Sequence, residues 1–252
     1  MDWALQFSIL APAFAAGVLV LATHIPLGRE VLRRGIIFID LAIAQIAGLG
    51  VIAAHTLGWE VHGWETQLIA LSAALAGAWL LGWAEAHLQQ QQEALIGIVF
   101  VLAATGGLLL LADNPQGGEH LRELLTGQIL WVNWPDLIPL GVLAAAYWLL
   151  AWLKPHWLPR VFVRQTFYLL FAVLITFSVQ VVGVYLVFAS LVIPAFAVWR
   201  DQRASLRNAF LLGVLGYGVG IAVSAWLDLP TGASIVWFLA MLGLGYKLIP
   251  VQ

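Results

Sequence analysis

Between Arg164 and Arg200 the chain, RQTFYLLFAVLITFSVQVVGVYLVFASLVIPAFAVWR, contains no Asp, Glu, Lys, Arg or His. Two apolar segments follow each other almost without a break, and Gly183 marks the turn between them. The polar residues inside are Thr176, Ser178, Gln180 and Ser190, with Pro194 deep in the second segment. A water-soluble fold would have to cover such a stretch on every side. A bilayer needs only that each backbone group be paired within a helix, and about 20 apolar residues cross its hydrocarbon core. This segment makes the chain an integral membrane protein.

Composition extends that reading to the whole chain. Apolar residues make up 62% and charged residues 10%, against about 25% charged in a soluble domain. The 252 residues leave room for about eight to nine helical spans and no large extramembrane domain. Hydropathy places spans near 5–23, 36–57, 66–86, 94–112, 136–153, 165–181, 184–199, 208–226 and 232–249. The expected fold is therefore all-α and polytopic, with residues 1–252 forming a single transmembrane permease domain. The long connection 113–134 contains LRELLTGQILWV, whose amphipathic spacing predicts an interfacial or re-entrant helix with Trp131 and Trp134 at headgroup level. There is no cysteine, which excludes disulfides and thiolate metal sites. The start of the chain has neither the basic region nor the cleavage site of a signal peptide, so the first span is expected to stay.

Lys and Arg set the expected orientation. Arg29, Arg33 and Arg34 in 24–35, Lys154, Arg160 and Arg164 in 154–164, and Arg200, Arg203 and Arg207 in 200–207 alternate so as to share one side. Lys247 joins them, and only Arg122 lies opposite. The bias puts these loops and the C-terminus in the cytoplasm and the N-terminus outside, in an inner (plasma) membrane. The opposite loops collect Glu60, Glu65, Asp113, Glu119, Glu123, Asp136 and Asp228; such a face attracts cations, or is simply solvated. GVLGYGVG at 213–220 offers small-residue faces for close helix packing.

Asp40, in RRGIIFIDLAIAQIAG, stands about one turn inside the second span. A carboxylate there is costly unless it is paired, protonated or facing a polar path. It is read either as part of a transport path, with Gln45 nearby, or as an anchor paired with Arg33 or Arg34. Glu85 and Glu93 flank AHLQQQQ, read as a solvated loop, and His24, His87 and His156 fall on the same cytoplasmic side. His55 and His62, with Glu60 and Glu65 between and beside them, offer nitrogen and oxygen donors suited to zinc or manganese as an outer capture site. The chain has no GxxxxGK[ST] phosphate loop, nucleophile elbow or dinucleotide fingerprint, so it is read as a transporter subunit without its own ATPase and not as an enzyme.

Five stretches, taken together, resemble the zinc/manganese/iron-type permease family of ABC metal-uptake transporters. They are RRGIIFID (33–40), EALIGIVF (93–100), LLTGQILWVNWPDL (124–137), QVVGVYLVFASLVIPA (180–195) and DLPTGASIV (228–236), in the family's order. The resemblance implies a type II ABC importer fold and a divalent metal, zinc or manganese, as cargo, with no permanently bound cofactor. It also implies a homodimeric or heterodimeric permease, with a homodimer expected here, a cytoplasmic ABC ATPase, and an extracytoplasmic metal-binding protein that delivers the ion; nucleic acid has no part. Asp40 matches the family's path-associated Asp. Where the family has His four residues later, this chain has Ala44, with Gln45 beside it. The loop before the QVVG helix is only LKPHWLPRVFVR (153–164), which leaves little room for a long ATPase-docking helix. Coupling then falls to Arg160 and Arg164, to Arg200 and Arg203, or is absent. The rivals are a same-fold transporter of another substrate or without a dedicated ATPase, and a non-transporting membrane scaffold.

Overall fold

A computed structural model describes residues 3–60, 63–115, 117–153, 164–199 and 206–248. They form ten α-helices: α1 (Trp3–Arg34), α2 (Ile39–Thr56), α3 (Trp64–His87), α4 (Gln92–Leu110), α5 (Gly117–Thr126), α6 (Ile138–Leu153), α7 (Arg164–Val182), α8 (Val184–Ala197), α9 (Leu206–Leu227) and α10 (Thr231–Leu248). Short 3-10 turns at Gln89–Gln91, Ile129–Trp131 and Trp134–Leu137 complete the regular structure, and no strand occurs among the described residues. Eight of the helical segments are long and apolar enough to cross a membrane.

Of the nine expected spans, 184–199 is the exception. α8 has 14 residues, about 21 Å, which falls short of a hydrocarbon core about 30 Å thick. The first span differs in the other direction. The segment 24–35, expected as a cytoplasmic loop, is instead the end of a 32-residue α1 that continues through Pro12 and Pro26. A proline removes only its own amide from the helix ladder, and neighbouring helices make the resulting irregularity tolerable in a membrane. Two of the three arginines in this last part share one carboxylate. Glu30 accepts hydrogen bonds from Arg33 Nε at 2.8 Å and Nη2 at 2.5 Å, and from Arg34 Nε at 2.6 Å.

The chain divides into two units. The first comprises Met1–Arg34, Leu125–Ala145 and Ser178–Gln252. Here α1 packs on α8 and α9, and α10 packs on both α8 and α9. Small residues bring these axes together, as GVLGYGVG predicted. Gly213 receives Leu21 of α1, while Gly216 and Gly220 receive Leu239 and Ile235 of α10. Gly17 lies flat against the Tyr217 ring, and Gly28 lies against the Leu191 carbonyl.

The fully buried Tyr217 hydroxyl meets Ser190 Oγ at 2.8 Å. The Ser190 hydroxyl proton is already directed to the Leu186 carbonyl at 2.6 Å, so Tyr217 is the donor. Tyr217→Phe is expected to lower stability by about 0.6–1 kcal/mol, read as a small shift in reversible detergent unfolding with no change of fold.

In the same unit the end of α5 meets the α7–α8 break. Gly127 (φ +68°) and Gly183 (φ +83°) are both left-handed and touch backbone to backbone. Gly183 thus makes the expected turn. Close by, where Gly232 approaches the Thr126 carbonyl, Ser224 Oγ donates to the Leu229 carbonyl at 2.6 Å and is 2.5 Å from Thr231 Oγ1, tying the start of α10 to the end of α9.

The second unit comprises Gly35–Leu124 and Ala146–Phe177. α2 is sandwiched by α3 and α4. Gly50 approaches the backbone of Ala70, Ile46 covers Gly77, and Leu49 and Ile52 cover Gly106 and Gly107. Gln92, at the start of α4, donates its amide to the hydroxyl of the buried Tyr168.

Within 113–134, the expected amphipathic helix is α5, only 10 residues long. The 3-10 turns after it carry Trp131 and Trp134, both largely exposed, as residues at an interfacial level would be. Asp136 accepts the Asn133 amide at 2.9 Å in a capping box that starts the second turn.

Candidate functional site

α2 begins at Ile39, so Asp40 sits in its first turn. It is 1% exposed, and neither carboxylate oxygen has a hydrogen-bond partner among the described residues. The guanidinium groups expected as its anchor, Arg33 and Arg34, are held by Glu30. The helix N-terminus favours negative charge by a fraction of a kcal/mol, far less than the desolvation of a carboxylate. A folded chain keeps such a group for a function or loses stability for nothing.

At 3.6 residues per turn, Ala44, Ala47 and Val51 continue the Asp40 stripe of α2. The residues that meet α4 (Leu49, Ile52) and α3 (Ile46, Gly50) are on other sides of the helix. Gln45 is buried but turned about 140° from Asp40, on the side that carries Leu49 and Ile52. Proximity in sequence therefore does not give Asp40 and Gln45 a common face.

His55 lies in the last turn of α2, about 22 Å along the axis from Asp40. One ion cannot touch both. His62 lies outside the described residues. Near His55, Glu60 is exposed and its carbonyl accepts the Thr66 hydroxyl at 2.7 Å. Among the described residues no group of three or more His, Cys, Asp or Glu is arranged to hold a metal ion. Arg160, Arg200 and Arg203 also lie outside the described residues, and Arg164 is described only as the first backbone position of α7.

Glu93 and His24, assigned by sequence to cytoplasmic loops, are helical. Glu93 is in the first turn of α4, where Oε1 accepts the Phe38 amide at 3.4 Å, two residues before Asp40; Oε2 is buried without a hydrogen-bond partner among the described residues. His24 is fully buried in α1. Its Nδ1 is 3.0 Å from the Val20 carbonyl and 3.0 Å from Thr23 Oγ1, while Nε2 has no partner among the described residues. The available signal was spacing: Gly17, Leu21, His24 and Gly28 fall on one helical stripe. The reading of 24–35 as a loop concealed it.

Residues 6–248 match the profile of the ABC 3 transport family. The chain belongs to this family. Among curated relatives of this ABC 3 chain, the manganese transport system membrane protein MntC of Halalkalibacterium halodurans is 26% identical, the match covering 93% of this chain and 85% of the relative. The high-affinity zinc uptake system membrane protein ZnuB of Haemophilus influenzae is also 26% identical, over 92% of this chain and 94% of the relative. Among solved structures, PsaBC from Streptococcus pneumoniae in complex with Fab shares the fold with a TM-score of 0.71, at 21% identity, covering 98% of this chain and 92% of that one. This ABC 3 chain is thus a multi-pass membrane protein of the ABC permease fold.

Proposed function

We propose that this chain is the membrane permease subunit of an importer for a divalent transition metal, manganese or zinc, with residues 1–252 acting as one permease domain. The observation that carries the reading is Asp40: a fully buried carboxylate, with no hydrogen-bond partner among the described residues, in the first turn of a helix long enough to span the membrane. The names of its 26%-identical relatives supply the metal. An oxygen donor of this kind suits manganese and is accepted by zinc. The ion is cargo, and it moves by alternating access as ATP binding on a separate cytoplasmic ABC subunit shifts the population between inward- and outward-open states. An extracytoplasmic binding protein delivers it, and two copies of the permease form the pathway in the inner membrane.

The test is affinity purification from native membranes in a gentle detergent. An ABC ATPase recovered in stoichiometric amount, whose ATP hydrolysis rises with Mn²⁺ or Zn²⁺ in the presence of the binding protein, is the expected result. A folded permease that reproducibly comes without an ATPase would replace this reading with an uncoupled transporter of the same fold.

A further inference from the structure

His24 is a buried histidine in a membrane-spanning helix whose Nε2 has no hydrogen-bond partner among the described residues, and the mechanism proposed above does not use it. Its surroundings fix its chemistry. A carbonyl oxygen only accepts, so the contact with the Val20 carbonyl at 3.0 Å requires the proton to be on Nδ1. Thr23 Oγ1 lies 3.1 Å from the same carbonyl and donates to it. The neutral ring then presents a bare lone pair at Nε2, and that nitrogen is buried and unpartnered among the described residues. A backbone carbonyl on Nδ1–H with Nε2 left open is the arrangement that orients an imidazole as a metal ligand.

The ring also stands where α1 is most closely packed. On the stripe that carries it, Gly17 meets Tyr217 of α9, Leu21 meets Gly213 of α9, and Gly28 meets the carbonyl of Leu191 in α8. The Tyr217–Ser190 pair brings hydroxyl oxygens into the same three-helix packing. Burying a hydrogen-bond acceptor without a partner is unfavourable, and packing alone would be satisfied by an apolar residue of similar size.

We propose that His24 Nε2 is a transient ligand for the transported divalent transition-metal cation within the α1–α8–α9 unit, supplying the nitrogen donor that favours zinc-like and cobalt-like ions over hard cations such as Ca²⁺. This deepens the metal-import reading and rests on it. Imidazole selects borderline metals, whereas oxygen-only sites suit Ca²⁺ and Mg²⁺.

The test uses the full chain in lipid nanodiscs with Co²⁺, Zn²⁺ and Ca²⁺ as probes. His24→Asn keeps a donor for the Val20 carbonyl and removes Nε2. It is expected to weaken Co²⁺ binding about 100-fold, at the upper end of what even outer-sphere changes produce, while Ca²⁺ binding stays as in the wild type. His24→Asp is expected to move the preference toward Ca²⁺. Should both variants fail to fold, the chain with its other five histidines replaced by glutamine gives the same answer, because imidazole scattering at the zinc absorption edge can then come only from His24. Wild-type Co²⁺ affinity in His24→Asn, a parallel loss of Co²⁺ and Ca²⁺, or zinc bound without imidazole would each overturn the proposal. If Asp40→Asn abolishes uptake into proteoliposomes, the failure is confined to His24. If Asp40→Asn transports normally, the metal-path reading itself falls.

Discussion

Asp40→Asn is expected to lower the initial rate of Mn²⁺ or Zn²⁺ uptake by about 100-fold or more while leaving the folded protein at least as stable as the wild type. The two halves of this expectation have one cause. Asp40 is buried with no hydrogen-bond partner on either oxygen among the described residues, so its charge is not repaid within the protein. An amide of the same shape avoids the several kcal/mol that a desolvated, unpaired carboxylate costs. The same exchange removes the anionic oxygen that a divalent cation needs, since an amide oxygen is a far weaker ligand for a hard or borderline ion. Uptake into proteoliposomes with the ATPase and binding protein present measures the first effect, and thermal unfolding of the purified permease measures the second. A residue that merely supports the fold would lose stability and activity together. Unchanged uptake at normal expression would remove Asp40 from the mechanism.

Gly183→Ala is expected to destabilise the protein by about 3 kcal/mol. The backbone at 183 has φ +83°, which costs a residue with a Cβ about 1–2 kcal/mol. The new carbon would also be driven into the main chain at Thr126 and Gly127, and neither can move aside like the tip of a flexible side chain. Overpacking of that kind adds about 1–3 kcal/mol. Gly218→Ala is the matching control. Gly218 is inside α9, where the nearest atom to an added Cβ is one ring carbon of Phe14 at 3.7 Å. There the better helix propensity of alanine, up to about 1 kcal/mol, is expected to leave stability equal or raised. Denaturation of both variants in mixed detergent checks the pair. Equal effects at the two sites would mean that the Gly127–Gly183 contact does not hold the α7–α8 break in place.

Much of the architecture was legible because the bilayer imposes it. A run such as Arg164–Arg200 has one acceptable environment and one acceptable backbone form, so local composition reaches directly to global fold. The spans of α3, α4, α9 and α10 and the packing role of Gly213, Gly216 and Gly220 follow from residues close in sequence. So does the turn at Gly183, since only glycine tolerates that φ without strain. The errors fell where a local signal competes with tertiary contacts. Residues 24–35 read as a loop, yet α1 runs on to Arg34, where Glu30 pairs with Arg33 and Arg34 and α8 packs against Gly28. α8 is apolar enough for a span but too short for one, and hydropathy averages cannot tell these apart.

The sequence by itself determined that this is a helical membrane protein, that Asp40 is an intramembrane carboxylate, and, through motifs in the right order, that it resembles metal-uptake permeases. Each of these depends on residue chemistry within a few turns of chain. Only the tertiary structure decided which polar groups have partners. It assigned Arg33 and Arg34 to Glu30, left both Asp40 oxygens without a hydrogen-bond partner among the described residues, set His55 at the far end of α2, and buried His24 with its Nε2 open. Whether a buried polar atom is satisfied depends on what packing from distant parts of the chain brings within about 3 Å, and no spacing along one helix contains that information.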